Sequence, residues 1–90
     1  MYALVETVTI TDFEKARAEL QGMLPGIKAT PGFIGGYWLA PSDGETGMSV
    51  TAYETEEAAK AVAERMAPGT KLNDYVTVKS AEVREVVGNL

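Results

Sequence analysis

Apolar and polar positions recur along the chain with two periods, one typical of strands and the other typical of helices. Tyr2 to Ile10 is rich in β-branched residues and predicts a first strand. Phe33 to Ala40 and Met48 to Glu54 predict two more, and Gly35-Gly36 indicates a bulge or close backbone approach in the second strand. A fourth strand is predicted within Val76 to Val87, starting near Ser80.

Two amphipathic helices are predicted between these strands. Thr11 to Glu14 fits a capping box with Thr11 as the N-cap, and an apolar stripe follows at intervals of three and four residues. Pro25-Gly26 predicts a break or kink before a last short turn. Thr55 predicts the N-cap of the second helix, whose inward stripe consists of Ala59, Val62, Ala63 and Met66.

The order strand, helix, strand, strand, helix, strand is that of the ferredoxin-like α+β fold. It predicts one domain over residues 1–90, with a four-stranded antiparallel sheet covered by both helices on one face. We assign Leu4, Val8, Met48 and Val50 to the other face, which is then too apolar to lie in water. The sequence therefore predicts a homodimer in which two such sheet faces pack together.

Composition narrows the classes of partner. The formal net charge is −5 and the basic residues are scattered, so no nucleic-acid partner is expected. No apolar run approaches the length that spans a bilayer, and the first residues lack the basic start of a signal peptide, so we expect no membrane partner and a cytoplasmic location.

The chain contains no histidine and no cysteine. The absence of both residues excludes Ser-His-Asp and Cys-His nucleophile systems, ordinary zinc sites and His-ligated haem. We expect no cofactor and no metal. An enzyme built on this chain would move protons with carboxylates, tyrosines, backbone groups or the substrate itself.

Two segments resemble a known family. The run from Pro31 to Tyr37, which begins PGF, and the run from Ser49 to Ala58 are similar to the antibiotic biosynthesis monooxygenase-like (ABM) group of dimeric α/β barrels. The resemblance spans almost the whole chain. It implies the dimeric barrel, and for some members a cofactor-independent oxidation of hydrophobic aromatic metabolites by tryptophan, tyrosine and other polar residues around a pocket.

The chain departs from the family pattern at two points. Tyr53 stands where members often have tryptophan at the end of the third strand. The members that degrade haem use a histidine in the following helical region, which this chain lacks, so haem degradation is disfavoured.

Hydroxyl-bearing and aromatic residues of the strands are the candidate site. Ser49, Thr51 and Tyr53 share one face of the third strand, and Thr7 could join them from the first. By resemblance, Thr7 corresponds to a polar first-strand residue of haem-degrading relatives. We assign Tyr53, Tyr37 and Thr7 as catalytic candidates. The competing interpretation is that the hydroxyls occupy ordinary strand positions, which favour threonine and tyrosine.

The remaining pocket candidates are Ser49, Thr51, Trp38 and Glu6. Tyr37 and Trp38 point to opposite sheet faces, so one could line a pocket while the other packs at the dimer seam. Glu6 is a carboxylate on an otherwise apolar strand face. It is either a buried base with a raised pKa, or a partner of Lys79 or Arg84, or a residue that reaches solvent at the barrel rim, and we favour the pair or the rim over the buried base.

Three functions stay open at this point. The first is a cofactor-independent oxygenase acting on a hydrophobic aromatic metabolite. The second is a module that binds a small molecule without turnover. The third is a structural or stress-associated dimer without a ligand. The absence of histidine, and the presence of Tyr53 where the family often has tryptophan, make the oxygenase the less favoured function. They do not affect the other two.

Overall fold

A computed structural model describes residues 1–90 as two helices against one antiparallel sheet. The elements in chain order are β1 (Tyr2–Ile10), α1 (Phe13–Lys28), β2 (Phe33–Leu39), β3 (Thr46–Tyr53), α2 (Glu56–Glu64), β4 (Lys71–Asn73) and β5 (Val76–Glu85). The strand order is β2-β3-β1-β5-β4. This arrangement confirms the predicted ferredoxin-like α+β fold.

The sheet has five strands, so the prediction of four was wrong. The additional strand β4 is three residues long and forms a hairpin with β5. The Asn73 side chain closes its turn by accepting from the Tyr75 amide at 2.8 Å. A strand of three residues is too short to show an alternation of apolar and polar positions. Because β5 pairs with it, β5 begins at Val76 and not near Ser80 as predicted.

Local capping explains where the helices begin. The N-cap of α1 is Asp12 and not Thr11 as predicted. The Asp12 carboxylate accepts from the Lys15 amide at 3.1 Å. The helix does not break at Pro25 but continues through a last short turn to Lys28, because proline removes one amide donor while the Ala29 amide still closes the turn on the Pro25 carbonyl at 3.2 Å. The N-cap of α2 is Thr55, as predicted, with the Ala58 amide donating at 3.1 Å.

The β2–β3 hairpin combines a bulge with a tight turn. The register shifts between Phe33 and Gly35, which confirms the predicted bulge. In the turn, the Asp43 carboxylate accepts from the backbone amides of Thr46 at 2.7 Å and Glu45 at 2.8 Å. These bonds favour the charged form and lower the pKa of Asp43 to about 2.

The sheet has one face under the helices and one open face. The open face is defined by Ala3, Val5 and Thr7 of β1, Tyr37 and Leu39 of β2, and Met48, Val50 and Ala52 of β3. Assigning Leu4 and Val8 to it was wrong. They pair across the sheet with Thr51 and Gly47, and these positions lie on the helix side.

The interior is divided between the two helices. Beneath α2 lies the core cluster of Leu4, Tyr53, Ala59 and Val62, which includes two of the four predicted inward residues, and the other two, Ala63 and Met66, are partly buried against it. Beneath α1 there is a cavity instead of a continuous core. Neither helix has the length and apolar character needed to cross a membrane.

Candidate ligand cavity

The cavity between α1 and the helix side of the sheet has a volume of about 400 Å³. This falls in the range of small-molecule sites, which are mostly apolar with a few placed polar groups. Its apolar wall is formed mainly by Val8, Ile10, Phe13, Ala16, Leu20, Met23, Trp38, Leu72 and Val76.

The α1 wall follows from helical periodicity. Phe13, Ala16, Leu20 and Met23 recur at intervals of three and four residues, so they form one stripe directed at the sheet. Opposite them, Gly47 of β3 leaves room in the floor. A Cβ at Gly47 would lie 2.8 Å from Ile10 Cδ1, so the glycine allows the β1 side chains to approach closely.

Glu6 is the one carboxylate that lines the cavity. It lies in the middle of β1, between Ser49 of β3 and Ala81 of β5, and is only 8% exposed. Burial desolvates the carboxylate and raises the pKa of Glu6 above its ordinary value of 4.5. The site therefore holds a carboxylate whose pKa is raised, which makes it a stronger proton acceptor than an exposed one.

Glu6 has no basic partner. The two ion pairs of the molecule are Lys60–Glu56 at 3.2 Å and Arg84–Glu82 at 2.7 Å. The predicted pairing of Glu6 with Lys79 or Arg84 is wrong. Lys79 is exposed at the register shift between β1 and β5 and forms no ion pair, and Arg84 is opposite Ala3 on the open face, where it binds Glu82. The rim position is also wrong, because Glu6 is buried beside the cavity.

Arg17 is the one basic side chain in the lining. It lies on α1, is exposed, and places its guanidinium carbon 6.0 Å from the centre of the Phe13 ring. Gln21, Ser49 and Asn73 supply the uncharged polar groups. The lining thus contains an inner acidic group and an outer basic group.

Three predicted site residues line this cavity: Glu6, Trp38 and Ser49. Thr51 and Tyr53 are on the same sheet side but belong to the region beneath α2. The Thr51 hydroxyl donates to the Tyr53 hydroxyl at 3.2 Å, and the Tyr53 ring meets Phe33 edge-on with centroids 5.9 Å apart. Tyr53 is 2% exposed and does not line the cavity, so its catalytic role stays a prediction without support from this geometry.

Thr7 and Tyr37 lie on the open face. Thr7 is opposite Met48, so the expectation that it shares a face with Ser49 was wrong. Side chains alternate along a strand, and Glu6 takes the inward position next to it. Tyr37 and Trp38 point to opposite faces, as predicted, and Tyr37 is 75% exposed.

Sequence reasoning missed the α1 and β4 contributions. The stripe from Phe13 to Met23 was visible as a core pattern, but nothing in the periodicity indicates that a helix stands away from the sheet over a cavity. Arg17 and Gln21 are polar positions outside that stripe, so the periodicity does not single them out. Asn73 could have been found only by recognising the short β4 hairpin.

The chain has no match among protein-family models or curated proteins. Among solved structures, it is similar to the haem degrader MhuD from Mycobacterium tuberculosis, solved with two haems bound in its active site. The two chains are 29% identical over 97% of this chain and 98% of that chain, with a TM-score of 0.57. This likeness supports an ABM-like relationship and agrees with the ferredoxin-like fold.

The residues of the cavity do not fit a haem iron. Haem proteins hold the iron through histidine, cysteine or tyrosine, with methionine as a partner of histidine in cytochromes c. The chain has no histidine or cysteine, and no tyrosine lines the cavity. Met23 and Met48 would provide only neutral thioethers, and Glu6 would add a buried negative charge to a porphyrin that already carries carboxylates.

Proposed function

We propose that this chain is a small ABM-type protein whose cavity beneath α1 binds a hydrophobic aromatic molecule. The observation that carries the proposal is Glu6, a carboxylate without a basic partner in an otherwise mostly apolar cavity.

A buried carboxylate without a counter-charge destabilises the fold. A core built only for stability would have an apolar residue at this central strand position. Functional sites commonly retain such destabilising groups, because their chemistry requires an available polar atom. A ligand that donates a hydrogen bond to Glu6 would offset the cost of its burial.

The chemistry that this arrangement favours is proton abstraction followed by reaction of the substrate with dioxygen. Glu6 would take a proton from a CH2 group that lies between two aromatic rings and is conjugated with a ring ketone, so the electron pair left behind is delocalised onto the ketone oxygen as an enolate. That carbon becomes a carbonyl: one atom of dioxygen is its oxygen, and the other leaves as water with the two hydrogens. The four electrons come from the substrate, so no cofactor is required.

Binding without turnover is the second candidate, and one observation favours it. Tyr37 is on the open face and Tyr53 lies in the core, so no phenol of the protein lines the cavity. Glu6 is then the only lining side chain suited to move a proton. A carrier or regulatory protein would need only the apolar walls and the hydrogen-bond acceptor.

The open face supports the assembly that we propose for this protein, a homodimer through the sheets. Tyr37, Leu39 and Met48 are 75%, 51% and 44% exposed on that face. Such a surface on a small domain is typical of an interaction site, and packing two copies face to face would cover it.

The binding part of the proposal is tested with anthrone, an aromatic molecule of the required chemistry. Calorimetry should show binding to the wild type. Ala16→Met fills the cavity from α1 and should weaken binding at least about tenfold by displacing the ligand. Ala18→Met adds the same side chain on the exposed side of α1 and should leave binding unchanged. Equal affinity in all three proteins would contradict a ligand site beneath α1.

Turnover is measured as oxygen uptake and anthraquinone formation with the same compound. The oxygenase predicts one dioxygen consumed per quinone formed, and at least about a hundredfold loss of rate in Glu6→Gln, since a positioned general base contributes about that much. Binding without uptake in the wild type supports the second candidate instead.

A further inference from the structure

The cavity lining has two charged side chains, Glu6 and Arg17, and they differ in sign and depth. Glu6 is on the central strand and buried, whereas Arg17 is on the helix and exposed. A ligand that fills the space between α1 and the sheet therefore meets a negative group inside and a positive group toward solvent.

Neither charge is neutralised within the protein. The ion pairs of the molecule involve four other residues, and every carboxylate apart from Glu6 is absent from the lining. Arg17 has its guanidinium carbon 6.0 Å from the centre of the Phe13 ring and forms no ion pair, so its guanidinium hydrogens are free to donate. Both groups are available to a bound molecule.

Building on the proposed function, we infer that the cavity selects a bipolar ligand, an aromatic body with a hydroxyl that donates to Glu6 and a carboxylate that pairs with Arg17. Hydroxyaryl carboxylic acids are the chemical class with these features. The opposite orientation is unfavourable, because it would place the ligand carboxylate against the buried carboxylate of Glu6.

The overall charge makes the role of Arg17 more specific. At a net charge of −5, the protein does not attract anions by its general field. An anionic ligand would thus depend on the local guanidinium, which can hold a carboxylate with two parallel hydrogen bonds.

Four probes separate the two contacts: 6-hydroxy-2-naphthoic acid, 2-naphthoic acid, 2-naphthol and naphthalene. Their dissociation constants for the wild type are measured by calorimetry. Removing the hydroxyl should weaken binding at least about tenfold, since an acceptor left unpaired in a buried site is costly. Removing the carboxylate should weaken it about two- to fivefold, as expected for an exposed ion pair.

Protein variants assign each preference to a residue. Glu6→Leu should abolish the hydroxyl preference and keep the carboxylate preference, and Arg17→Gln should do the reverse. Lys15→Gln is the matched control, because Lys15 is on the same helix and stacks on Tyr75 without lining the cavity. It should alter neither preference.

The outcomes distinguish this inference from the proposed function. If all four probes bind the wild type with equal affinity, the aromatic site stands and the bipolar selectivity is refuted. If none of them binds, both proposals fail. The wild-type comparison does not depend on the folding of any variant.

Discussion

Glu6 is the residue on which stability and function make opposite demands. Its neighbours on the inner sheet side include Leu4, which is 2% exposed and lies in the core cluster. The same alternation that buries Leu4 also buries Glu6, and the fold supplies no counter-charge. The carboxylate is therefore retained at a cost that the folded protein alone does not recover.

The first prediction concerns the stability of Glu6→Gln. Because the folded-state pKa is raised, ionised Glu6 destabilises the fold at neutral pH, and this penalty disappears as pH falls through the raised pKa to below 4.5. Glu6→Gln should thus melt at a higher temperature than the wild type near pH 7. The difference should shrink on acidification and vanish below pH 4.5.

Glu19→Gln is the control for this series. It makes the same change in net charge at an exposed position of α1. A rise in melting temperature at pH 7 that is equal in both variants would show that general charge, and not burial of Glu6, is the cause.

Some properties of Glu6 could be recognised from the sequence alone. Glu6 was identified as anomalous from its apolar surroundings, because period-two alternation is a local property. The prediction of an ion pair for Glu6 was wrong. Whether Glu6 has a basic partner depends on which side chains of β5 lie on the same sheet face, and only the register between β1 and β5 determines these. Thr7 was misassigned because its face relative to Ser49 depends on the register between β1 and β3.

Two adjacent glycines of β2, Gly35 and Gly36, differ in how closely β3 packs against them. Gly36 lies on the inner side opposite Thr51, and a Cβ there would come within 2.7 Å of Thr51 Cγ2 and 2.9 Å of the Val50 oxygen. A Cβ at the adjacent Gly35 would have no atom within 4 Å. One strand thus offers a crowded glycine beside an unobstructed one.

The second prediction compares alanine at these two positions. Gly36→Ala should lower the free energy of unfolding by about 1–3 kcal/mol, because the methyl group forces β2 and β3 apart. Gly35→Ala should leave it unchanged or raise it by up to about 1 kcal/mol through the unfolded chain. Urea unfolding at one fixed protein concentration measures both. Equal losses would contradict the packing described for Gly36.

Element boundaries were predictable where a capping residue or a turn marks them. Thr55 and the Gly35 bulge were found, whereas Thr11 and Asp12 both suit an N-cap and only the folded chain decides between them. The short β4 was invisible, although its Asn73 side chain closes the hairpin and contributes to the cavity.

For the whole molecule, the open face and the cavity occupy opposite sides of one sheet. The helices cover the inner side and leave the cavity beneath α1, while the other side exposes apolar side chains around Val50. The order of strands and helices was predictable from the sequence, because apolar positions recur with one period in strands and another in helices. The cavity was not, because it arises from the distance between α1 and the sheet.

The third prediction tests the dimer. Val50 is at the centre of the open face, opposite Tyr37 on one side and Val5 on the other, and does not line the cavity. Val50→Glu should raise the dissociation constant of the dimer at least about a hundredfold, since two charges would be buried at one seam. Sedimentation at micromolar concentration measures it.

Ala18→Glu is the matched control, because it adds the same charge on the exposed side of α1. It should sediment as a dimer, like the wild type. A wild type that is folded and monomeric at this concentration would contradict assembly through the open face.

The central claim is that the Glu6 carboxylate meets the ligand, and the carboxyl carbon resonance of Glu6 reports this directly. We predict that 6-hydroxy-2-naphthoic acid shifts this resonance by nuclear magnetic resonance in a saturable titration, while the exposed Glu19 stays unchanged. Saturable binding that leaves the Glu6 resonance in place would contradict the account.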